Sequence, residues 1–184
     1  MVPDWARVLG SFTVSDDDAV LRAAQAGDRM ALASFVRDTQ DHVWRFCAYL
    51  GGGDDVADLV QETYARALRA LPRFERRCSG RAWLLAIARR VCADAVRGAR
   101  RRRAVEMLWL WQEQPQPDAS TIVGLTMALD ALSPERREAF VLTQLVGLPY
   151  ADAADVCGVP IGTIRSRVAR AREDLQTELG EAVV

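Results

Sequence analysis

Apolar residues recur every three or four positions between residues 54 and 71, directly after three glycines. This spacing predicts an amphipathic helix that packs against neighbouring helices. Asp54 and Asp55 lie where a side-chain acceptor would cap the first free N–H groups of that helix, and their two negative charges lie at the positive end of its dipole. The far side of the helix carries Asp58, Gln61 and Glu62, which we call the acidic strip. Periodicity alone leaves two interpretations open, a solvated helix face or a docking surface for a basic, rod-like partner. The apolar set is Leu59, Val60, Tyr64, Ala67, Leu68 and Leu71.

A second amphipathic pattern, over residues 82–103, separates into an apolar arc and a basic arc when residues are plotted at about 100° each. Trp83 lies on the apolar arc, which favours a place in the core over stacking on a base. The loop before this helix, residues 72–81, contains Arg, Ser and an aromatic residue, and we call it the basic loop. Such loops can hold unpaired bases while a neighbouring basic helix follows the nucleic-acid backbone. The basic arc, which we call the arginine face, comprises Arg89, Arg90, Asp94 and Arg97.

The C-terminal part of the chain has the spacing of a helix-turn-helix motif. A short helical stretch over residues 150–157 is followed by Gly158 and then by a longer helix to about residue 179. An outward arc of Arg, Ser, Thr and Ala suits the major groove of DNA, where Arg can bond both acceptors of a guanine. The alternative is an Arg-rich solvated helix. The inward anchors are expected to be Ile161, Ile164, Val168, Ala171 and Leu175.

These patterns predict an all-α protein of two small helical domains joined by an extended linker. The predicted parts are an N-terminal extension (1–15), a first domain (16–103), a linker (104–121) and a second domain (122–184). The linker contains QEQPQPDAS, which is typical of an extended proline-bearing segment, and an aromatic cluster at residues 108–111. An earlier helix in the first domain is expected to bury Phe35, Val43, Trp44, Phe46 and Cys47.

The composition is typical of a globular protein, and positive and negative charges lie in different segments of the chain. The 184 residues carry a net charge of −1, and all 24 basic residues are Arg, concentrated away from the acidic segments. Four scattered cysteines and a single histidine, His42, indicate neither a zinc site nor a disulfide framework, so no metal is expected. We find no catalytic constellation or nucleotide-binding loop, and expect neither an enzyme nor a cofactor. With no signal peptide or apolar span, the expected location is cytoplasmic, without membrane contact.

Three stretches, in this order, resemble the extracytoplasmic-function (ECF) sigma factors of bacterial RNA polymerase. They are DLVQETYARAL from residue 58, RAWLLAIARRVCADAVR from residue 81, and LSPERREAF followed by YADAADVCGVPIGTIRSRVARAREDL in the second domain. The resemblance covers about residues 16 to 180 and implies a region-two helical bundle and a region-four helix-turn-helix domain. It implies a dissociable factor that directs promoter recognition, promoter melting and transcription initiation.

The resemblance also implies three sets of contact residues. The clamp helices of the largest subunit of core RNA polymerase would bind Asp55, Asp58, Gln61 and Glu62. The melted minus-ten element would be read by Arg76, Arg77, Ser79, Arg81, Arg89, Arg90, Asp94 and Arg97. The double-stranded minus-thirty-five element would be read by Thr163, Arg165, Ser166, Arg167, Ala169 and Arg170. The flap region of the polymerase and an anti-sigma factor are further candidate partners, and the linker would thread into the polymerase.

Two departures from the family pattern bear on these roles. Many members have Asn where this chain has Arg90, and Asp152-Ala153 stands where Glu-Ile is common. A second hypothesis, an autonomous helix-turn-helix transcriptional regulator, accounts for the second domain but gives the acidic strip and the arginine face no role. Tight, specific DNA binding without polymerase would favour that hypothesis.

Overall fold

The structure is a computed structural model that describes residues 17–52, 55–107 and 127–181. All regular elements in these ranges are helical. The first domain contains α1 (Asp17–Gln25), α2 (Arg29–Leu50), α3 (Val56–Ala70), a 3₁₀ turn (Leu71–Arg73) and α4 (Gly80–Met107). The second domain contains a helical turn over residues 127–130, then α5 (Pro134–Phe140), a π-helical segment (Val141–Leu145), α6 (Tyr150–Cys157) and α7 (Ile161–Glu181). The predicted all-α, two-domain fold is therefore confirmed.

The first domain is a bundle in which α2, α3 and α4 pack on one another and α1 lies against α2 and α4. Its centre contains the fully buried side chains of Leu21, Val43, Phe46 and Leu84. Burying a side chain of this kind stabilises the fold by roughly 1.5–3 kcal/mol, so these contacts fix how the helices are arranged. The bundle thereby sets the relative positions of the acidic strip on α3 and the arginine face on α4.

The second domain packs α5 and α6 against the long helix α7. The chain leaves α6 through Gly158, whose φ of 67° lies in the left-handed region that favours glycine. The backbone N–H of Val159 then donates to the carbonyl of Ala154 over 3.1 Å, which closes the end of α6. Ile164, Val168, Ala171 and Leu175 are buried as the spacing predicts.

Several side chains lie elsewhere than the periodicity predicts. Trp44 is 46% exposed, Leu68 is 47% exposed and Ile161 is 38% exposed, so none of them is a core residue. Ile161 is the first residue of α7, and it has no preceding turn of its own helix to pack beside. Helix α4 runs to Met107, beyond the predicted end at residue 103. The expectations for the N-terminal extension, residues 108–111 and most of the linker lie outside the described residues.

Candidate functional site

The acidic strip lies on the outer side of α3, as its spacing predicts. Asp58 and Gln61 are exposed, and Glu62 is partly exposed. Asp55 is the N-cap residue of α3, and its Oδ1 accepts a hydrogen bond from the N–H of Ala57 over 2.8 Å. The strip therefore begins at the positive end of the helix dipole and remains open to a partner along its length.

Four charged side chains link α3 to α4 in a continuous chain. The guanidinium of Arg66 donates to the Glu62 carboxylate over 2.7 Å and to the Asp94 carboxylate over 2.9 Å. Asp94 also accepts from Arg97 over 2.5 Å. The pKa of Asp94 is lowered, first by the bond from Arg66 and then by that from Arg97. Asp94 is therefore committed to two arginines, and Arg66, which sequence reasoning missed, connects the acidic strip to the arginine face.

The basic loop is tied to α1 by the side chain of Gln25. Its Nε2 donates to the carbonyls of Leu71 and Phe74 over 2.8 and 2.9 Å, and its Oε1 accepts from Arg76 over 2.8 Å. Arg76 has a φ of 56°, a left-handed conformation that costs a non-glycine residue energy and is maintained by these contacts. Arg77 is exposed and pairs with Glu75 over 2.6 Å. The loop thus presents both arginines on a backbone of fixed shape.

Ser79 joins the end of the basic loop to the second domain. Its Oγ accepts from the N–H of Ala82 over 3.1 Å, which caps the start of α4. The same hydroxyl donates to Asp152 Oδ2 over 2.6 Å. At the next position, a Cβ on Gly80 would lie 2.1 Å from Leu21 Cδ1, so this close contact with α1 favours glycine. Ser79 is consequently engaged by an acidic residue in this arrangement.

The arginine face of α4 is also in contact with the second domain. Arg89 forms a two-point ion pair with Glu138, with Nη2 3.2 Å from Oε2 and a shorter contact between Nε and Oε1. This pair raises the pKa of Arg89. Arg90 and Arg97 are exposed, and Arg81 is partly exposed at the start of the helix. Arg89 and Ser79 are therefore held by the second domain, whereas the other arginines of this surface remain accessible.

Backbone contacts add to this domain interface. Arg45 Nη1 donates to the carbonyl of Leu145 over 3.4 Å, and Arg137 donates to the carbonyl of Tyr49. Helix α6 packs directly on α4. These pairings could not be predicted from spacing, because each connects residues far apart in the chain.

The long helix α7 presents the residues predicted for major-groove contact. Arg165, Ser166, Ala169 and Arg170 are exposed, and in the described ranges no carboxylate lies within 4.0 Å of the guanidinium of Arg165 or of Arg170. Thr163 and Arg167 are partly exposed at the edge of the same surface. The opposite face is buried in the domain, so the helix is anchored on one side and free on the other.

His42 is a buried titratable group outside these surfaces. It is 6% exposed, and burial together with the nearby charges of Arg81 and Arg45 lowers its pKa from 6.5 to about 4. It therefore stays neutral at physiological pH. Over residues 17–52, 55–107 and 127–181, no group of three or more His, Cys, Asp or Glu side chains has the arrangement of a metal site. The described helices include none that is long and apolar enough to cross a bilayer.

Comparison with known proteins identifies both halves of the chain. Residues 35–102 match the family model of Sigma-70 region 2, and residues 122–175 match that of Sigma-70, region 4. The chain is 48% identical over 171 residues to the ECF RNA polymerase sigma factor SigC of Mycobacterium tuberculosis, a match that covers 89% of this chain and 92% of that protein.

Two solved structures share the arrangement of helices. The structure of CnrH in complex with the cytosolic domain of CnrY aligns with a TM-score of 0.73 at 26% identity, covering 91% of this chain and 99% of that one. The sigma factor RpoE in complex with the anti-sigma factor NepR, from Bartonella quintana, aligns with a TM-score of 0.60 at 29% identity, covering 97% and 98%. Both comparisons extend over the two domains together.

Proposed function

The chain belongs to the extracytoplasmic-function sigma factors of RNA polymerase, and we propose that its three charged surfaces each perform one step of promoter recognition. It binds core RNA polymerase and directs it to promoter DNA. Sigma factors are transcription initiation factors, so the protein supplies specificity and the polymerase performs the synthesis.

The minus-thirty-five element is read by the outer face of α7. The observation that carries this assignment is the contrast between its two sides: Ile164 and Val168 are buried, while Arg165 and Arg170 project into solvent without an ion pair to any described residue. An exposed guanidinium without an ion pair has a low free-energy cost of desolvation when it binds a guanine or a phosphate, because no existing pair must be broken. It can also make two hydrogen bonds to a guanine edge. Ala169 between them leaves room for the base pairs.

The minus-ten element is bound by the basic loop and the arginine face. Arg76 and Arg77 are exposed on a loop of fixed shape, and Arg90 and Arg97 lie on the adjacent helix. Unpaired bases can enter such a loop while the helix follows their phosphates. Asp94 holds Arg97 by an ion pair, so we assign Asp94 a positioning role in place of the predicted direct contact with DNA.

Core polymerase is bound by the acidic strip. Asp58 and Gln61 are exposed on a helix whose other side is buried, which supports docking against a basic, rod-like partner. Glu62 is partly exposed and already pairs with Arg66 inside the domain. A basic residue of the polymerase would therefore share the Glu62 carboxylate with Arg66, and Asp58 and Gln61 would supply the remaining contacts.

The two domains must separate before the first domain can hold melted DNA. Arg89 donates a hydrogen bond to Glu138, and Ser79 donates one to Asp152. A nucleic-acid phosphate would need the same two donors. Binding of the second domain and binding of the minus-ten strand at these residues therefore exclude one another.

An anti-sigma factor is a candidate partner of this protein. The basis is the similarity to RpoE, whose solved structure is a complex with the anti-sigma factor NepR. In the structure of this chain the two domains are in contact, with α6 packed on α4.

Run-off transcription with purified core polymerase on a library of genomic promoters tests the proposed function. We expect transcripts only when the factor is present, and loss of most of them with Arg165→Ala/Arg170→Ala. The matched control is Arg136→Ala, which removes an arginine that pairs with Asp174 inside the second domain. Specific, tight binding of the isolated factor to duplex DNA, with no polymerase-dependent transcript, would instead support the autonomous regulator.

A further inference from the structure

Two buried cysteines face each other where α2 crosses α4. The Sγ of Cys92 donates to the Sγ of Cys47 over 3.8 Å, and both residues are free thiols, 3% and 1% exposed. Two sulfurs at this distance could simply be small apolar groups that fill the core. They are also two oxidisable side chains on different helices, and only about 1.8 Å of approach separates their sulfurs from a disulfide bond of about 2.05 Å.

The surroundings of the two thiols differ, which gives each a separate chemical role. The pKa of Cys47 is lowered, chiefly because Cys92 donates a hydrogen bond to its sulfur. The pKa of Cys92 is raised by the same contact and by burial. The thiolate is the reactive form of cysteine, so Cys47 is the better nucleophile of the pair. Burial raises the pKa of the remote Cys157 to about 12, which makes that partly exposed thiol a poor nucleophile.

We propose that Cys47 and Cys92 form an oxidation site, at which a hydroperoxide converts the two thiols to an intramolecular disulfide linking α2 to α4. The Cys47 thiolate attacks one oxygen of hydrogen peroxide, the O–O bond breaks, and the released hydroxide takes a proton to become water. Cys92 then attacks the sulfur of the Cys47 sulfenic acid, the S–S bond forms, and a second water leaves with the Cys92 proton. The two sulfurs together lose two electrons, and the peroxide is reduced to two waters.

Access to this site depends on opening of the core. Because both sulfurs are buried, the oxidant reaches them only during local opening of the α2–α4 contact, so the reaction is slower than at an exposed thiol. The same burial protects the sulfenic acid from further oxidation, because the partner thiol lies next to it and bulk peroxide does not. We therefore expect the disulfide to form slowly and to be the main oxidation product.

The test uses the full chain with Cys78→Ser/Cys157→Ser, which removes the two partly exposed cysteines and leaves the pair intact. The variant is incubated with hydrogen peroxide, denatured, alkylated and digested with trypsin without reductant. Cys47 and Cys92 fall in different tryptic peptides, because arginines including Arg66 and Arg90 lie between them. We expect the two peptides to appear as one linked species, two hydrogens lighter than their sum, that dithiothreitol separates.

A second measurement keeps the inference testable if the double variant folds poorly. In the wild-type protein, the same digest distinguishes all pairings of the four cysteines, and the Cys47–Cys92 species should predominate. The midpoint of thermal unfolding should rise after oxidation and return after dithiothreitol, because a cross-link restricts the unfolded chain. Cys47→Ala should abolish both effects. If both thiols remain alkylatable after prolonged exposure, or if sulfinic acid or intermolecular disulfides are the main products, the pair is only a packing contact.

Discussion

Replacing Glu138 by Gln tests whether the second domain blocks the minus-ten surface. The substitution keeps the size of the side chain and removes the negative charge that pairs with Arg89. We expect it to shift the molecule from the closed arrangement towards one in which the domains have separated. The arginine face would then be available to DNA for a larger fraction of the time.

The size of the effect follows from the exposure of the two side chains. Glu138 is 14% exposed and Arg89 is 43% exposed, so the pair is neither fully solvated nor fully buried. Exposed pairs contribute about 0–1 kcal/mol, and hydrogen bonds to charged groups about 1.5–3 kcal/mol, which places this two-point contact at about 1.5 kcal/mol. Because about 1.4 kcal/mol corresponds to a factor of ten, and Gln retains one hydrogen bond, we expect a shift of roughly five- to tenfold towards the open arrangement. If the open form is the minor one, the affinity for DNA rises by the same factor.

Two measurements check this expectation. Small-angle X-ray scattering should show a larger radius of gyration for Glu138→Gln than for the wild type. Fluorescence anisotropy should show tighter binding of a single-stranded oligonucleotide that carries the minus-ten sequence selected in the run-off experiment. The matched control is Glu135→Gln, which removes the same charge from the exposed start of α5.

If Glu138→Gln and Glu135→Gln leave both the radius of gyration and the DNA affinity at wild-type values, the ion pair does not control access to the arginine face. A tighter affinity without a change in radius would mean that Glu138 repels DNA locally and does not hold the domains together.

Three further predictions concern α7, the acidic strip and the buried His42. Replacing Arg165 or Arg170 with Ala should weaken binding to the minus-thirty-five duplex by roughly 1–3 kcal/mol in a holoenzyme gel shift, if each contacts a base; an unchanged affinity would remove that residue from the interface. Glu62→Arg should reduce co-elution with core polymerase while its far-ultraviolet circular dichroism stays unchanged, whereas Glu135→Arg, on the second domain, should co-elute normally. The lowered pKa of His42, about 4, means that the unfolded chain binds a proton between pH 6.5 and 4 that the folded protein does not. The free energy of unfolding is therefore not reduced by this group above pH 6.5, and it decreases as the pH falls from 6.5 to about 4. After allowance for solvent screening, we expect a decrease of about 2 kcal/mol. Urea unfolding of His42→Gln should lack this pH dependence.

Helix positions and their exposed faces were predictable from the sequence because each depends on residues close together in the chain. The buried side of α3 and the anchored side of α7 follow from spacings of three and four, and the capped start of α3 follows from two aspartates placed after three glycines. The outward positions of Arg165 and Arg170 follow from the same rule. The extended α4 shows the limit of this reasoning, since the sequence around its end at Met107 contains no Gly, Asn or Pro that would indicate a helix terminus.

Contacts between elements could not be predicted in the same way. Spacing within one helix carries no information on which partner lies opposite, so the pairings of Ser79 with Asp152 and of Arg89 with Glu138 had no sequence signal. Arg66 was missed because an exposed arginine four residues after a glutamate is typical of any solvated helix. The exposure of Trp44 reflects the same limit, because a broad apolar arc does not reveal where the neighbouring helix ends.

The side chain of Gln25 has a consequence for how this family can diversify. Its amide supplies two donors to backbone carbonyls and one acceptor to Arg76, a combination that neither a carboxylate nor an ammonium group can reproduce. The geometry of the basic loop is thus encoded some fifty positions upstream, by the last residue of α1. The sequence of the loop alone therefore does not determine its conformation. Transfer of residues 72–81 into another member of the family would also require Gln at the position of residue 25.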